Sequence, residues 1–253
     1  MSKKVTDRLR KMLSRKVTGR FRRSDANDKQ TIRKLQQFEI PGASASGPPS
    51  VGIFSPPIPP PSSTPPPSRS HDNDNALAVW ENGGYRVKLL LANEALAFAW
   101  GRPVSWTLNL SPDRVEEAQR DPRGFTESFS RDLNRALKRA LGRKPPYWFS
   151  VDVANKPSDR LHLQGGVAVS DNELGAVSVA MLHVGGDWAS TRFKDRQLHL
   201  NPDRCDHGWA LYSLRNRRRV SGLIRGRTFS VTGPLRSEAK ALYDEYRRIM
   251  RGA

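Results

Sequence analysis

His162 and Gln164 stand two residues apart in RLHLQGGVAVS, residues 160–170, a segment that reads as a β-strand. Alternate side chains of a strand share a face, so these two would project together while Leu161 and Leu163 point the other way. Gly165 and Gly166 follow and, lacking side chains, would leave room for a ligand or another backbone. Such a pair is half of a metal site. Upstream, YWFSVDV (147–153) alternates, putting Trp148, Ser150 and Asp152 on one face and Phe149, Val151 and Val153 on the other. A polar turn over 154–159 makes the two strands a hairpin. A carboxylate on one strand stands near a histidine on the next when the register agrees, so Asp152 is the natural third member. Oxygen and imidazole ligands together suit Mg²⁺ or Mn²⁺ rather than structural zinc. His183, His199 and His207 are further ligand types, with His199 and His207 the strongest rival pair.

These residues need a scaffold, and the pattern of the chain predicts one. Residues 76–80 and 85–91, separated by Glu81-Asn82-Gly83-Gly84, read as a hairpin, and VSWTLNL (104–110) as the next strand. Ser111-Pro112 announces a helix, a capping serine followed by a proline at the first helical position. Phe125, Phe129, Leu133, Leu137 and Leu141 recur every four residues, predicting a helix over 124–141 with a basic side carrying Arg131, Arg135 and Lys138. Residues 171–184 read as a helix, 196–200 as a short strand and 203–215 as a helix that Gly208 interrupts. A hairpin of 220–224 with 228–231 around Arg225-Gly226, and a closing helix over 234–250, complete the pattern. Leu235, Ala239, Leu242, Tyr246 and Ile249 form the apolar stripe of that helix. Strands joined by hairpins and interleaved with helices predict an α+β fold, an antiparallel sheet with helices packed on it.

Composition sets the limits around this domain, which is expected over 76–253. The 253 residues carry a formal charge of +18, which favours polyanionic partners, nucleic acid first and an anionic membrane surface second. Residues 1–40 hold 13 Lys or Arg against 4 Asp or Glu, a net of +9, and read as a disordered or inducibly helical basic arm. Residues 41–69 contain 11 of the 19 prolines, so the stretch 41–75 reads as an extended linker. One cysteine excludes a disulfide framework and a thiolate zinc cluster. The absence of a long apolar run or a signal-like N-terminus predicts an intracellular protein without a membrane span, with a nuclear address in the basic arm left open.

Trp106-Thr107-Leu108-Asn109-Leu110, then His162-Leu163-Gln164-Gly165, then Tyr212-Ser213-Leu214-Arg215 resembles, in order, the three motifs of HUH-type rolling-circle replication initiators. The nearest resemblance is to Rep proteins of circovirus-like single-stranded DNA viruses, whose motifs are an FTLNN-like strand, HLQG and Y-x-x-K. It covers about residues 104–216. It implies a Rep-like α+β fold related to the ferredoxin and RNA-recognition-motif folds. By the same resemblance Asp152, His162 and Gln164 bind Mg²⁺ or Mn²⁺, and Tyr212 attacks DNA. Arg215 stands where the family has lysine. Arginine supplies positive charge but no proton, since its pKa stays above about 12. No G-x-x-x-x-G-K-[ST] loop is present, so the helicase half of viral Rep proteins is missing from this sequence.

The resulting expectation is a metal-dependent endonuclease that nicks single-stranded or hairpin DNA, leaves a 5′-phosphotyrosine, and initiates rolling-circle replication or transfer of a plasmid, phage or mobile element. Trp106, Asn109, Arg131, Arg135, Lys138, Arg217, Arg218 and Arg219 are its expected DNA contacts. The preference for arginine over lysine hints at a bacterial element and hence a cytoplasmic location. Two rivals remain: a nucleic-acid-binding regulator of the same fold without chemistry, and a packaging protein dominated by its basic arm.

Overall fold

The strands Val104–Asn109 (β1), Tyr147–Val153 (β2), Leu161–Val167 (β3), Leu198–Asn201 (β4) and Phe229–Val231 (β5) form one sheet in the order β4-β1-β3-β2-β5. Every neighbouring pair is antiparallel. The computed structural model describes residues 79–154, 160–189 and 195–251. The basic arm, the proline-rich linker and residues 76–78 of the expected first strand lie outside the described residues.

One face of the sheet is apolar. Trp106 and Leu108 of β1, Phe149 and Val151 of β2, and Leu163 and Val167 of β3 belong to a single buried core with the helices beneath them. Those helices are Pro112–Arg120 (α2), Phe125–Leu141 (α3) and Leu174–Gly185 (α4). The four-residue repeat drives α3 onto the sheet: Phe125, Phe129, Leu133 and Leu137 are all 1% exposed or less. Each such side chain contributes about 1.5–3 kcal/mol of burial. Helix α2 starts where the sequence places it, with the Ser111 side chain accepting from the Arg114 N–H and Pro112 in the first turn. Helix α4 follows a 3₁₀ turn, Asp171–Glu173, closed by a capping box between Ser170 and Glu173.

The other face carries Trp148, Ser150, Asp152, His162 and Gln164, and it too is covered. Tyr85–Trp100 (α1) packs at the Trp148 end, where Asn93 accepts from Trp148 Nε1 at 3.1 Å. Gly233–Arg251 (α7) packs on α1, with Tyr243 edge-on to Trp80. Along the expected α7 stripe, Leu235, Ala239, Leu242 and Tyr246 are buried. Because both faces are covered, every residue of β2 and β3 is buried.

Two expected hairpins are helical instead. Residues 85–91 open α1, preceded by a 3₁₀ turn at Trp80–Asn82. Its sequence, YRVKLLLANEALAFAW, is rich in Ala, Leu and Glu, strong helix formers. Contact with both the sheet and α7 buries Val87, Leu89, Leu91 and Leu96 on more than one side and erases the helical period. Residues 220–224 lie mostly in a helix, Arg217–Leu223 (α6), and β5 pairs with β2 rather than with them. Val220 and Ile224 both reach the core at a spacing of one helical turn, a pattern that a short apolar run disguises as a strand. The helix expected over 203–215 is confined to His207–Tyr212 (α5), capped by Asp206 accepting from the Trp209 N–H at 2.9 Å. Gly208 lies inside that helix.

Candidate metal and tyrosine site

The register of the sheet assembles the site. His162 is paired with Asp152 on one side and Asn109 on the other, and Gln164 with Ser150 and Thr107. These pairs lie across adjacent strands on one face, so Asp152, His162 and Gln164 converge as the sequence predicts. They are 0%, 7% and 3% exposed. His162 Nε2 lies 3.4 Å from Asp152 Oδ2 and 3.0 Å from the Gln164 side-chain nitrogen.

One oxygen here lacks a partner. Gln164 Oε1 is buried without a hydrogen bond, a condition that costs about 1–3 kcal/mol, whereas Asp152 Oδ2, also without a well-formed hydrogen bond, lies 3.4 Å from His162 Nε2 and 3.3 Å from the Arg215 guanidinium. The other Asp152 oxygen is satisfied, accepting from the Val153 N–H at 2.8 Å and from Asn216 Nδ2 at 3.0 Å. Turning the Gln164 amide about its last bond would bring Oε1 to face His162 Nε2. Neighbouring ligands at about 2.1 Å in an octahedral shell are separated by about 3 Å, so these donors fit a small divalent ion in spacing as well as type. Among the described residues no three His, Cys, Asp or Glu side chains group together, so a metal held here would have to take the Gln164 amide as its third protein ligand.

Asp152 is poised as a carboxylate. Burial is the largest influence on it and raises its pKa. The hydrogen bond and charge of His162, with the Val153 N–H and the Asn216 amide, outweigh burial and hold it below the ordinary value. Arg215 adds positive charge at 3.3 Å from Oδ2.

Tyr212 ends α5 and is 45% exposed. Its ring stacks on Trp209, centroids 5.9 Å apart, and the Trp209 indole N–H donates to the Gly165 carbonyl at 2.8 Å. On it sits the Arg215 guanidinium, 3.7 Å from the centroid. One side chain thus ties the tyrosine to the histidine strand, and the other reaches Asp152. The Ser150 hydroxyl donates to the Ser213 carbonyl at 3.0 Å, fixing the turn between Tyr212 and Arg215 to the same face.

Other expected contacts fall elsewhere. Trp106 is 1% exposed in the apolar core against Phe149, so it is closed to DNA. Gly165 and Gly166 make room for tryptophans rather than a ligand. A Cβ on Gly165 would collide with the Trp148 carbonyl and the Trp106 ring, and one on Gly166 would lie 2.8 Å from Trp148 Nε1. Asn109 is beside His162, but its amide donates to the Arg196 carbonyl at 2.7 Å. Arg131, Arg135 and Lys138 ride on α3, beneath the opposite face. Arg217 lies over the Tyr85 ring, Arg219 donates to the Ala154 carbonyl, and Arg218 is exposed. His199 is exposed on the edge strand β4, His183 is exposed on α4, and His207 Nε2 meets Glu94 Oε1 at 2.6 Å. The rival ligand pair is therefore split, since His207 is engaged by α1. Burial pushes the Cys205 thiol up to about 12, with Asp206 adding to the shift, which leaves it unsuited to thiolate chemistry.

Asn216 and Trp209 are the site residues the sequence does not single out. Asn216 follows Arg215 directly, and adjacency to the Y-x-x-R motif was its one available signal. No helix among the described residues is long and apolar enough to cross a membrane. The chain matches no protein-family model, no curated protein and no solved structure.

Proposed function

We propose that this chain is a metal-dependent endonuclease of the HUH initiator type that nicks single-stranded or hairpin DNA through Tyr212, in rolling-circle replication or transfer of a plasmid, phage or other mobile element. The observation that carries this reading is the convergence of Asp152, His162 and Gln164, with the Gln164 Oε1 buried and unpartnered, beside an exposed tyrosine. Asp152, His162 and Gln164 would hold Mg²⁺ or Mn²⁺, which when bound would polarise a phosphodiester oxygen and orient the strand.

The remaining chemistry belongs to the chain. Tyr212 Oη would attack phosphorus in line, forming the tyrosyl O–P bond as the P–O3′ bond breaks. The phenolic proton leaves to solvent and the 3′ oxygen takes one up, giving a 5′-phosphotyrosine and a free 3′-hydroxyl. Arg215, beside both the ring and Asp152, would pair with the phosphate oxygens. A guanidinium is a poor proton donor in general, so the 3′ oxygen would draw its proton from water. Trp209 would hold the tyrosine ring at its angle through the stack and its bond to Gly165.

The test is incubation with labelled hairpins and random single strands in Mn²⁺, resolved on a denaturing gel beside Tyr212→Phe and His162→Ala. A metal-dependent cut and a covalent adduct, both lost in Tyr212→Phe, are expected. Intact DNA across a well-sampled pool, bound equally by all three proteins, would sink the reading. That outcome would favour a binding module without chemistry, which the placement of Arg215 between Tyr212 and Asp152 makes the second reading.

A further inference from the structure

Helix α3 presents an open groove of about 770 Å³ on the side of the sheet away from Tyr212, bordered by Arg123, Glu127, Arg131, Arg135, Lys138 and Lys144. Part of its charge is matched internally. Arg123 and Arg131 share Asp121, while Arg131 and Arg135 lie at 3.3 and 2.7 Å from Asp132. Asp132, however, is already held at 2.6 Å by Arg114, which is buried beneath it. With Glu117 also on Arg114, three carboxylates, Glu117, Asp121 and Asp132, serve four guanidiniums, Arg114, Arg123, Arg131 and Arg135. Neither Lys138 nor Lys144 has an acidic partner among the described residues. The groove keeps a surplus of positive charge that no acidic side chain among the described residues offsets.

The two faces are joined by a basic segment. Asn216 bonds to Asp152 on the site face, yet Val220 and Ile224, a few residues on, are buried in the core of the opposite face. The chain thus crosses from one face to the other within α6, and the crossing carries Arg217, Arg218, Arg219, Arg225 and Arg227. It ends at the rim of the groove. Thr126 donates to the Arg227 carbonyl, the Arg227 guanidinium lies 3.9 Å from Glu127, and Ser130 bonds to Ser230 of the edge strand β5.

We infer that this basic track, from Tyr212 around the β5 edge to the α3 groove, holds the duplex that adjoins the strand at the site. Regularly spaced phosphates complement a line of cations, and Arg135 and Lys138, three residues apart on α3, offer successive contacts. The inference rests on the proposed reading of the site as one that handles DNA, and it adds a second surface with a different substrate form.

The experiment uses the full chain and two fluorescent probes, a short single strand and the same strand joined to a 25-base-pair stem. Affinity for each is titrated against salt, for the wild type and for the triple variant Arg135→Glu, Lys138→Glu, Lys144→Glu. The stem should tighten wild-type binding, and the triple variant should lose that gain, with the salt slope falling by about 3, near 0.9 for each phosphate no longer neutralised. Its binding of the short strand and of Mn²⁺ should stay unchanged, which also reports that it is folded. No gain from the stem in the wild type, or an unchanged slope in the variant, would overturn the track. An equal loss on both probes would overturn the assignment to duplex. A wild type that neither binds Mn²⁺ nor cuts, while the triple variant still abolishes the stem's gain, would support the track and overturn the site reading alone.

Discussion

Leu163 and Gln164 are neighbours on β3, exposed to 0% and 3%, and they face opposite sides of one sheet. Leu163 belongs to a continuous apolar core with α3 and α4. Gln164 stands among Ser150, Thr107, His162 and Asp152, with one oxygen left without a partner. Equal burial therefore has opposite meanings on the two faces. On the apolar face it is the source of stability. On the polar face it carries a cost, because the Gln164 oxygen has left water without gaining a hydrogen bond. Substitutions that preserve fold but alter one face should separate these roles.

The largest effect should come from the apolar face. Phe149→Ala removes a ring fully buried between Trp106 and Tyr147 and should cost about 3–5 kcal/mol of unfolding free energy. Chemical denaturation would show it, and a loss under 1 kcal/mol would mean that this face is not the principal core. Gly165→Ala comes next. The added methyl meets a backbone carbonyl and an indole that the surrounding core holds in place, so a loss of about 1–3 kcal/mol is expected from overpacking. By contrast, Gln164→Ala, one residue away, should change stability far less while weakening Mn²⁺ binding, as isothermal titration would read.

The contrast also explains how far the sequence could be read. Strands β1, β2 and β3, helix α3 and the alternation that puts Asp152 on the face of His162 and Gln164 were legible, because period and register are local properties. Helices α1 and α6 were not. Their apolar residues are distributed by packing against partners distant in sequence, and a short apolar run then carries no period of its own. Trp106 was misassigned for the same reason. Its place in the strand was right, but which face would be covered by α3 depended on tertiary packing. Asn216 was invisible because its role is fixed by the return of the chain over β2.

A pH titration sharpens the comparison on the polar face. Asp152 has its pKa held below the ordinary carboxylate value near 3.8. A depressed carboxylate binds fewer protons in the folded state than in the unfolded one, so its stabilisation is present above the unfolded value and is lost as pH falls through the folded one. Denaturation between pH 6 and 2 should therefore show a component of acid destabilisation below about pH 4 in the wild type that Asp152→Asn lacks. Identical acid limbs in the two proteins would show that the contacts of His162 and Asn216 do not favour the carboxylate.

The effect of Asn216→Ala is to be read in metal binding rather than in folding. The substitution removes one hydrogen bond to Asp152 Oδ1 and one to the Val153 carbonyl, worth about 1–3 kcal/mol together. The Val153 N–H still holds Oδ1, so the carboxylate stays in place but is free to turn. What changes is the direction of Oδ2, the oxygen that faces His162 and Arg215. Supporting bonds of this kind typically set metal affinity within about 10–100-fold. Mn²⁺ titration of Asn216→Ala should show a loss in that range with the fold intact, and Asn216→Asp, which puts a second carboxylate against Asp152, should not restore it. Unchanged Mn²⁺ affinity in Asn216→Ala would mean that Asp152 is oriented by the strand alone, and that the polar face is held by register just as the apolar face is.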